Sequence, residues 1–237
     1  MFYINYIMKK SAYQFEHFAY TITGDDRDID ERDNITSEIR AILQNTFEKV
    51  QRKKNGVIKE LNELIEKYPD IAQFKNHLFV AYAQAGNMKM ANQVNELTLK
   101  KNPDYLFAKL NLVGDYLAKK EYEKIPEVLG PSIEIKALYP HRNLFHLNEV
   151  ASFYKIAIHY FLAIDNIEAA EARLKILEDL PRDLTTDVED LAIRIMSAKM
   201  AKGFEKIQAQ KDARPKLTIT NLVVNPTEEP PVPHHLE

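Results

Sequence analysis

The sequence predicts an all-α fold in which helical hairpins stack side by side as a solenoid, followed by an extended C-terminal tail. Three observations support this prediction. Apolar residues between positions 35 and 211 recur at helical spacing, glycines and prolines separate the periodic runs, and this punctuation repeats. The chain has 237 residues, of which 45% are hydrophobic, so it can bury a substantial core.

The composition excludes several classes of protein. The chain has no cysteine, which excludes disulfides, a thiol nucleophile and any cysteine-containing zinc site. The formal net charge is −3, so the basic excess of a typical nucleic-acid-binding protein is missing. The apolar start, MFYINYIM, is too short to span a bilayer. We therefore expect a cytoplasmic protein that binds neither nucleic acid nor membrane.

The first 34 residues form a separate zone in which an aromatic segment precedes an acidic one. Residues 1–23 are rich in Phe and Tyr, and we expect a helix that packs on one end of the helical region. Residues 25–33 carry six acidic and two basic side chains, which is typical of a solvated linker. The next helix is expected to begin near Thr36 or Ser37, with Thr36 as its N-cap.

The acidic segment shares part of the pattern of a calcium-binding loop. Asp26, Asp28 and Asp30 occupy alternate positions, as the first ligands of such a loop do. The loop also needs a glycine at its sixth position and a glutamate at its last. Glu31 and Ser37 stand there instead, so we expect no calcium site.

Residues 35–211 are predicted to be helical because apolar residues recur every three or four positions. Ile58, Leu61, Leu64 and Ile65 mark one such helix face. Glycines and prolines interrupt the periodic runs at points where helices should end. These residues are Gly56, Gly86, Gly130, Pro69, Pro103, Pro140 and Pro181.

The interruptions recur at a fixed interval. The Pro-Asp pair at Pro69 returns at Pro103, 34 positions later. Two further pairs share this interval, Leu78 with Leu112 and Tyr82 with Tyr116. A two-helix unit cannot bury its apolar face alone, so repeated units should stack on their neighbours. The rival interpretation is an ordinary helical bundle in which the two prolines coincide by chance.

This spacing resembles the tetratricopeptide repeat family, whose unit is a pair of helices. Segment 72–105 carries residues of the family pattern at Leu78, Tyr82, Ala91 and Pro103. Gly86 occupies the turn between the two helices, and the segment departs from the pattern at Lys75, Phe79 and Asn95.

The resemblance extends to three neighbouring segments. Segment 38–71 fits in its second helix, segment 106–139 carries an insertion near its end, and segment 151–183 is a fourth unit. The resemblance implies a right-handed α-α superhelix of three to four units over residues 35–183. Residues 184–211 are then expected to form a capping helix.

The resemblance also implies that the first helix of each unit lines a concave groove. Amides on that surface can bond to a peptide backbone, and apolar groups can receive an apolar side chain. Leu110 is equally well interpreted as a core residue. The residues expected to bind a peptide are Gln73, Asn76, His77, Val80, Gln84, Phe107, Leu110, Asn111, Lys155 and His159.

The last segment, residues 212–237, is predicted to be an extended tail. Residues 216–224 read KLTITNLVV, and a proline-rich stretch that favours a stiff spacer follows them. We interpret the tail as a linker to a further domain. It could also pack into the groove of its own or a neighbouring chain, giving self-association through residues 214–237.

The chemistry-bearing motifs of common enzymes are missing from the sequence. It contains no nucleotide-binding loop, no GxSxG turn and no HExxH helix. The histidines are scattered, and His141 and His146 do not share a helix face. We therefore expect no catalytic residues, no metal and no cofactor.

The sequence thus favours a scaffold or adaptor module that binds a protein or a peptide. The alternative is a non-catalytic N-terminal part of a larger enzyme or regulator, which positions a missing C-terminal domain.

Overall fold

A computed structural model describes residues 20–181 and 188–213 of the chain. Within this part lie eleven α-helices, one short 3-10 helix and two three-residue strands, which confirms the all-α class. The predicted C-terminal tail over 214–237 lies outside the described residues. The predicted N-terminal aromatic helix also lies outside them, except for its last residues, where positions 21–23 form a strand.

The two strands are β1 (Thr21–Thr23) and β2 (Leu144–His146). The first six helices are α1 (Arg27–Asp33), α2 (Ser37–Gln51), α3 (Val57–Lys67), α4 (Ala72–Gln84), α5 (Met88–Lys101) and α6 (Leu106–Lys119). The others are α7 (Ile125–Leu129), α8 (Ile135–Leu138), α9 (Leu147–Ala163), α10 (Ile167–Glu178) and α11 (Val188–Asp212). We refer to residues 37–178, from α2 to α10, as the helical array.

Four helices of the array, α2, α4, α6 and α9, end in the same turn. In each, one residue adopts the left-handed conformation, and the next N–H donates to the carbonyl five residues back, as in a Schellman motif. These N···O distances are 2.8–2.9 Å. The left-handed residues are Lys53, Gly86, Lys120 and Asp165.

Helices α4 and α9 each pack against the helix that follows them. Asn87 and Asn166 cap the second helices, and the side chain of each accepts a backbone N–H. One turn further on, Ala91 and Ala170 are completely buried. A small residue at this position allows two helices to approach closely, as expected for a repeated hairpin.

The hairpin that begins with α6 lacks a regular second helix. Residues 122–138 form a 3-10 turn and the short helices α7 and α8 instead. Pro126 lies in the first turn of α7, and Gly130, at φ +82°, ends that helix just before Pro131. The helix is therefore broken in the segment where an insertion is predicted, and the insertion itself stays a prediction.

Residues 20–33, which we call the docked segment, lie against the array. Strand β1 pairs in parallel with β2, so that Ile22 is opposite Phe145. The prediction of a solvated linker over residues 25–33 is wrong, since seven of these residues form α1. The prediction for the next helix is confirmed: Thr36 is its N-cap, and its hydroxyl accepts the Ile39 N–H.

Two apolar clusters stabilise the described fold. One joins α2, α3 and α4 around Leu61 and Phe74, and the other surrounds α9 and includes Ile22 of β1. Between them in the chain lies α5, whose buried residues are Ala91, Asn95 and Thr98.

The chain divides into two units, residues 1–199 and 200–237. In the second unit the structure describes the end of α11. Helix α11 covers most of the capping helix predicted for 184–211, and its role as a cap remains a prediction. In the part of the chain that the structure describes, no helix is long and apolar enough to cross a membrane.

Candidate functional site

A cavity of about 490 Å³ lies between α1, α2, α4 and the N-terminal ends of α6 and α9. Its apolar wall includes Phe47 of α2, Val80 of α4 and Phe107 of α6. Its polar wall includes Gln73 and Asn76 of α4. A cavity of this size, with apolar walls and a few converging amides, has the composition of a binding site.

The structure brings five of the ten predicted groove residues together in this cavity. They are Gln73, Asn76, His77, Val80 and Phe107. Leu110 is buried in the core instead, and Gln84 is exposed beside a separate, smaller pocket. Lys155 and His159 lie on α9 and line neither this cavity nor that pocket.

Asn111 is the remaining predicted residue, and it joins α6 to the two preceding helices. Its side-chain amide donates to Asn76 Oδ1 at 3.0 Å and to Asn95 Oδ1 at 3.2 Å. Asn95 in turn donates to the Ala108 carbonyl at 2.9 Å. The amide of Asn111 is therefore occupied within the chain, whereas Asn76 also reaches the cavity wall.

His77 lies on the same wall and is largely shielded from water. Its Nδ1 is 3.0 Å from the hydroxyl of Thr46 on α2, and its ring is 5.9 Å from that of Phe47. Burial lowers the pKa of His77 to about 4, because the charged imidazolium is poorly solvated there. The ring is therefore neutral at physiological pH and serves as a hydrogen-bonding group.

The docked segment contacts this face of the array through carboxylates. The guanidinium of Arg40 on α2 donates to Asp30 Oδ2 at 2.8 Å and lies 3.3 Å from Asp26. The amide of Gln73 donates to Asp33 at 2.8 Å. His146 Nε2 lies 3.1 Å from Asp26 Oδ1, and this contact holds the pKa of Asp26 below its usual value.

Glu149 links the docked segment to α9 from the other side. This carboxylate is buried and accepts from Arg142 at 2.6 Å and from Arg32 of α1 at 3.3 Å. It also accepts the backbone N–H of His146, while the His146 ring accepts from Asn148, which closes a capping box at the start of α9. Three donors therefore compensate the burial of the Glu149 charge.

A second cavity, of about 540 Å³, lies beside the first. The boundary between them is formed by the C-terminal end of α1 and by side chains of the array. Burial raises the pKa of the Tyr105 phenol, which stands at this boundary. The residues that line both cavities are Arg32, Asp33, Gln73, Tyr105 and Glu149.

Sequence reasoning missed the docked segment and the residues of the array that hold it. Asp26, Asp30 and Asp33 are spaced as one face of a helix, and this spacing was a readable signal. Their partners Arg40 and His146 carried no such signal. Both contacts form only in the folded chain, and His146 is more than one hundred residues away in the sequence. Among the described residues, no three His, Asp or Glu side chains cluster as metal ligands would.

Comparison of the chain with protein-family models, with curated proteins and with solved structures gave no match. The tetratricopeptide resemblance therefore rests on the residues and spacings of this chain, and it stays a prediction.

Proposed function

We propose that the chain is a scaffold or adaptor module that binds a protein or a peptide with the face of the array that carries the two cavities. One observation carries the proposal: a segment of the chain itself already lies on this face, held by backbone pairing at β2 and by side chains of α2, α4 and α9. A surface that holds one polypeptide segment has the shape and hydrogen-bonding groups to hold another.

The hairpins support the tetratricopeptide-like part of the proposal. The first helices of the four hairpins, α2, α4, α6 and α9, end in the same left-handed turn. Two of them, α4 and α9, precede a helix that has a fully buried alanine four residues after its N-cap. In the proposed architecture these hairpins wind as a right-handed superhelix, and the first helices α2, α4, α6 and α9 line its inner side.

The proposed mode of binding is burial and hydrogen bonding without covalent chemistry. Phe47, Val80 and Phe107 offer an apolar surface for a side chain of the partner. The amides of Gln73 and Asn76 offer donors and acceptors for its backbone. Aromatic side chains are common energetic centres of such interfaces, which makes Phe47 the residue to test.

Selection from a random peptide library on the purified protein tests the proposal. We expect enriched peptides whose affinity falls about tenfold or more in Phe47→Ala, as truncation of a central aromatic contact does. Phe47 is 47% exposed, so this variant should remain folded. Phe204→Ala, at an exposed phenylalanine on α11, is the matched control and should bind normally.

Two results would contradict the proposal. One is the failure of any peptide to enrich on a folded protein. The other is enrichment of peptides whose affinity is the same for the Phe47→Ala and Phe204→Ala variants.

A further inference from the structure

We infer that the partner of this face is an acidic helix with carboxylates at positions i, i+4 and i+7, and that α1 is an internal stand-in that such a helix displaces. The inference rests on the proposed function and names the chemistry of the partner. Its evidence is the set of contacts between α1 and the array.

The donors of the array match one face of α1. Asp26 immediately precedes α1, and Asp30 and Asp33 follow at the next two turns, so this spacing places the three side chains on the same side of the helix. Arg40 contacts the first two of these carboxylates, and Gln73 donates to the third at 2.8 Å. The donors are thus arranged at the spacing of a helix, which an extended peptide would not reproduce.

The match includes a positive charge on the docked helix. Arg32 of α1 reaches Glu149 of the array at 3.3 Å, and Glu149 is itself buried. A partner with a base next to its last carboxylate would satisfy this acceptor as α1 does. Charge complementarity therefore selects an acidic helix that carries one base at its C-terminal end.

Helix α1 is held weakly enough to be replaced. It has seven residues, and Arg27 and Asp28 are exposed. Ile29 supplies its single apolar side chain, which is half-buried.

The pairs of Arg40 with Asp26 and Asp30 are partly exposed and contribute about 1 kcal/mol or less each. The pair of Arg32 with the buried Glu149 is the exception, and a displacing helix replaces it with its own base.

The strand before α1 would remain in place during displacement. Ile22 of β1 is completely buried, and Thr21 donates to the Asn143 carbonyl at 2.8 Å. Strand β1 therefore tethers α1 beside the face at a high effective concentration, on the order of millimolar for a short link. A free peptide with the same sequence must compete against that concentration.

A helix-stapled, fluorescein-labelled peptide of residues 24–35 is the probe for this inference, read by fluorescence anisotropy. The intact chain should bind it weakly, because α1 competes. The triple variant Asp26→Asn/Asp30→Asn/Asp33→Asn should bind it about tenfold or more tightly, since the tethered competitor has lost its charges. Adding Arg40→Gln to that variant should return binding to the weak level.

Two controls accompany this measurement. The same stapled peptide with asparagine at the three positions should not bind either protein. Circular dichroism should show that the triple variant is folded, and if it is not, Asp30→Asn alone replaces it with an expected gain of about threefold.

Two outcomes overturn the inference. Equal affinity of the intact chain and the folded variant would show that α1 is not a competitor. Binding that survives Arg40→Gln would show that the carboxylates are not recognised by this face. If the variant binds library-selected peptides but not the acidic probe, the acidic-helix inference fails while the proposed function stands. If it binds neither, both fail.

Discussion

β1 and α1 are consecutive parts of the docked segment, yet the array holds them in different ways. β1 pairs with β2 through its backbone and buries Ile22 completely, whereas α1 leaves the Arg27 side chain 72% exposed and contacts the array through charges. Burial of an Ile side chain contributes about 2–3 kcal/mol, while an exposed ion pair contributes less than about 1 kcal/mol. The segment is thus anchored firmly at one end and loosely at the other.

Removing the firm anchor should have the largest effect. Ile22→Ala should lower the free energy of unfolding by about 3 kcal/mol, because it deletes buried methyl groups and leaves a cavity in the core. Urea denaturation measures this loss. Ile193→Ala, at an isoleucine of α11 that is 56% exposed, should change stability little. Equal, small losses in both variants would mean that β1 is not an anchor.

Acid should weaken the array before it releases α1. Burial lowers the pKa of His77 to about 4, and an unfolded histidine titrates near 6.5. The unfolded chain therefore binds the proton more tightly, so this contribution to stability is fully present well above pH 6.5 and falls by up to about 3 kcal/mol as the pH approaches 4. Because the pKa of Asp26 is lowered, its contribution persists until the pH falls below its ordinary value of 3.8.

The variant His77→Gln isolates this contribution. Glutamine carries both a donor and an acceptor for the hydrogen bond with the Thr46 hydroxyl but does not titrate, so the difference in stability between pH 7 and pH 4.5 should shrink. Urea melts at the two pH values measure it, with His141→Gln, at an exposed histidine, as the control. An unchanged pH difference in His77→Gln would contradict the assigned burial of the ring.

Loosening α1 alone should have the smallest effect on global stability. Asp30→Asn removes the main partner of Arg40 and should cost less than about 1 kcal/mol, and 1 M salt should abolish the difference. Hydrogen exchange should nevertheless accelerate in a peptide covering α1 and not in one covering β1. Glu63→Gln, in an exposed pair with Lys59, is the control. Equal acceleration in both peptides would mean that the segment opens as one piece.

The hairpin of residues 72–105 could be predicted because its signals are local. Gly86 adopts the left-handed conformation that the turn requires, and Pro103 follows the end of α5, so both boundaries are encoded within a few residues. The sequence identified Lys75 only as a departure from the family pattern and predicted no role for its side chain. It is buried, and its ammonium donates to the Pro69 carbonyl, an interaction that depends on tertiary structure.

The docked segment could not be predicted for the opposite reason. An acidic, short sequence has little intrinsic tendency to hold a helix in water, and α1 depends on partners supplied by the array. The pairing of β1 with β2 joins residues that are far apart in the chain, and each strand has three residues. For the candidate site, the family resemblance indicated five residues of the cavity wall but not the element that covers it.

The three asparagines that connect α4, α5 and α6 have a mechanical consequence. An apolar interface allows two packed helices to slide along each other, because one apolar contact replaces another at similar energy. Amide pairs do not, since a shift of one helical turn would break the hydrogen bonds among Asn76, Asn95 and Asn111 and leave the buried Asn95 amide without a partner. These hydrogen bonds therefore fix the offset between successive hairpins, and hence the relative positions of the side chains that α4 and α6 contribute to the cavity wall.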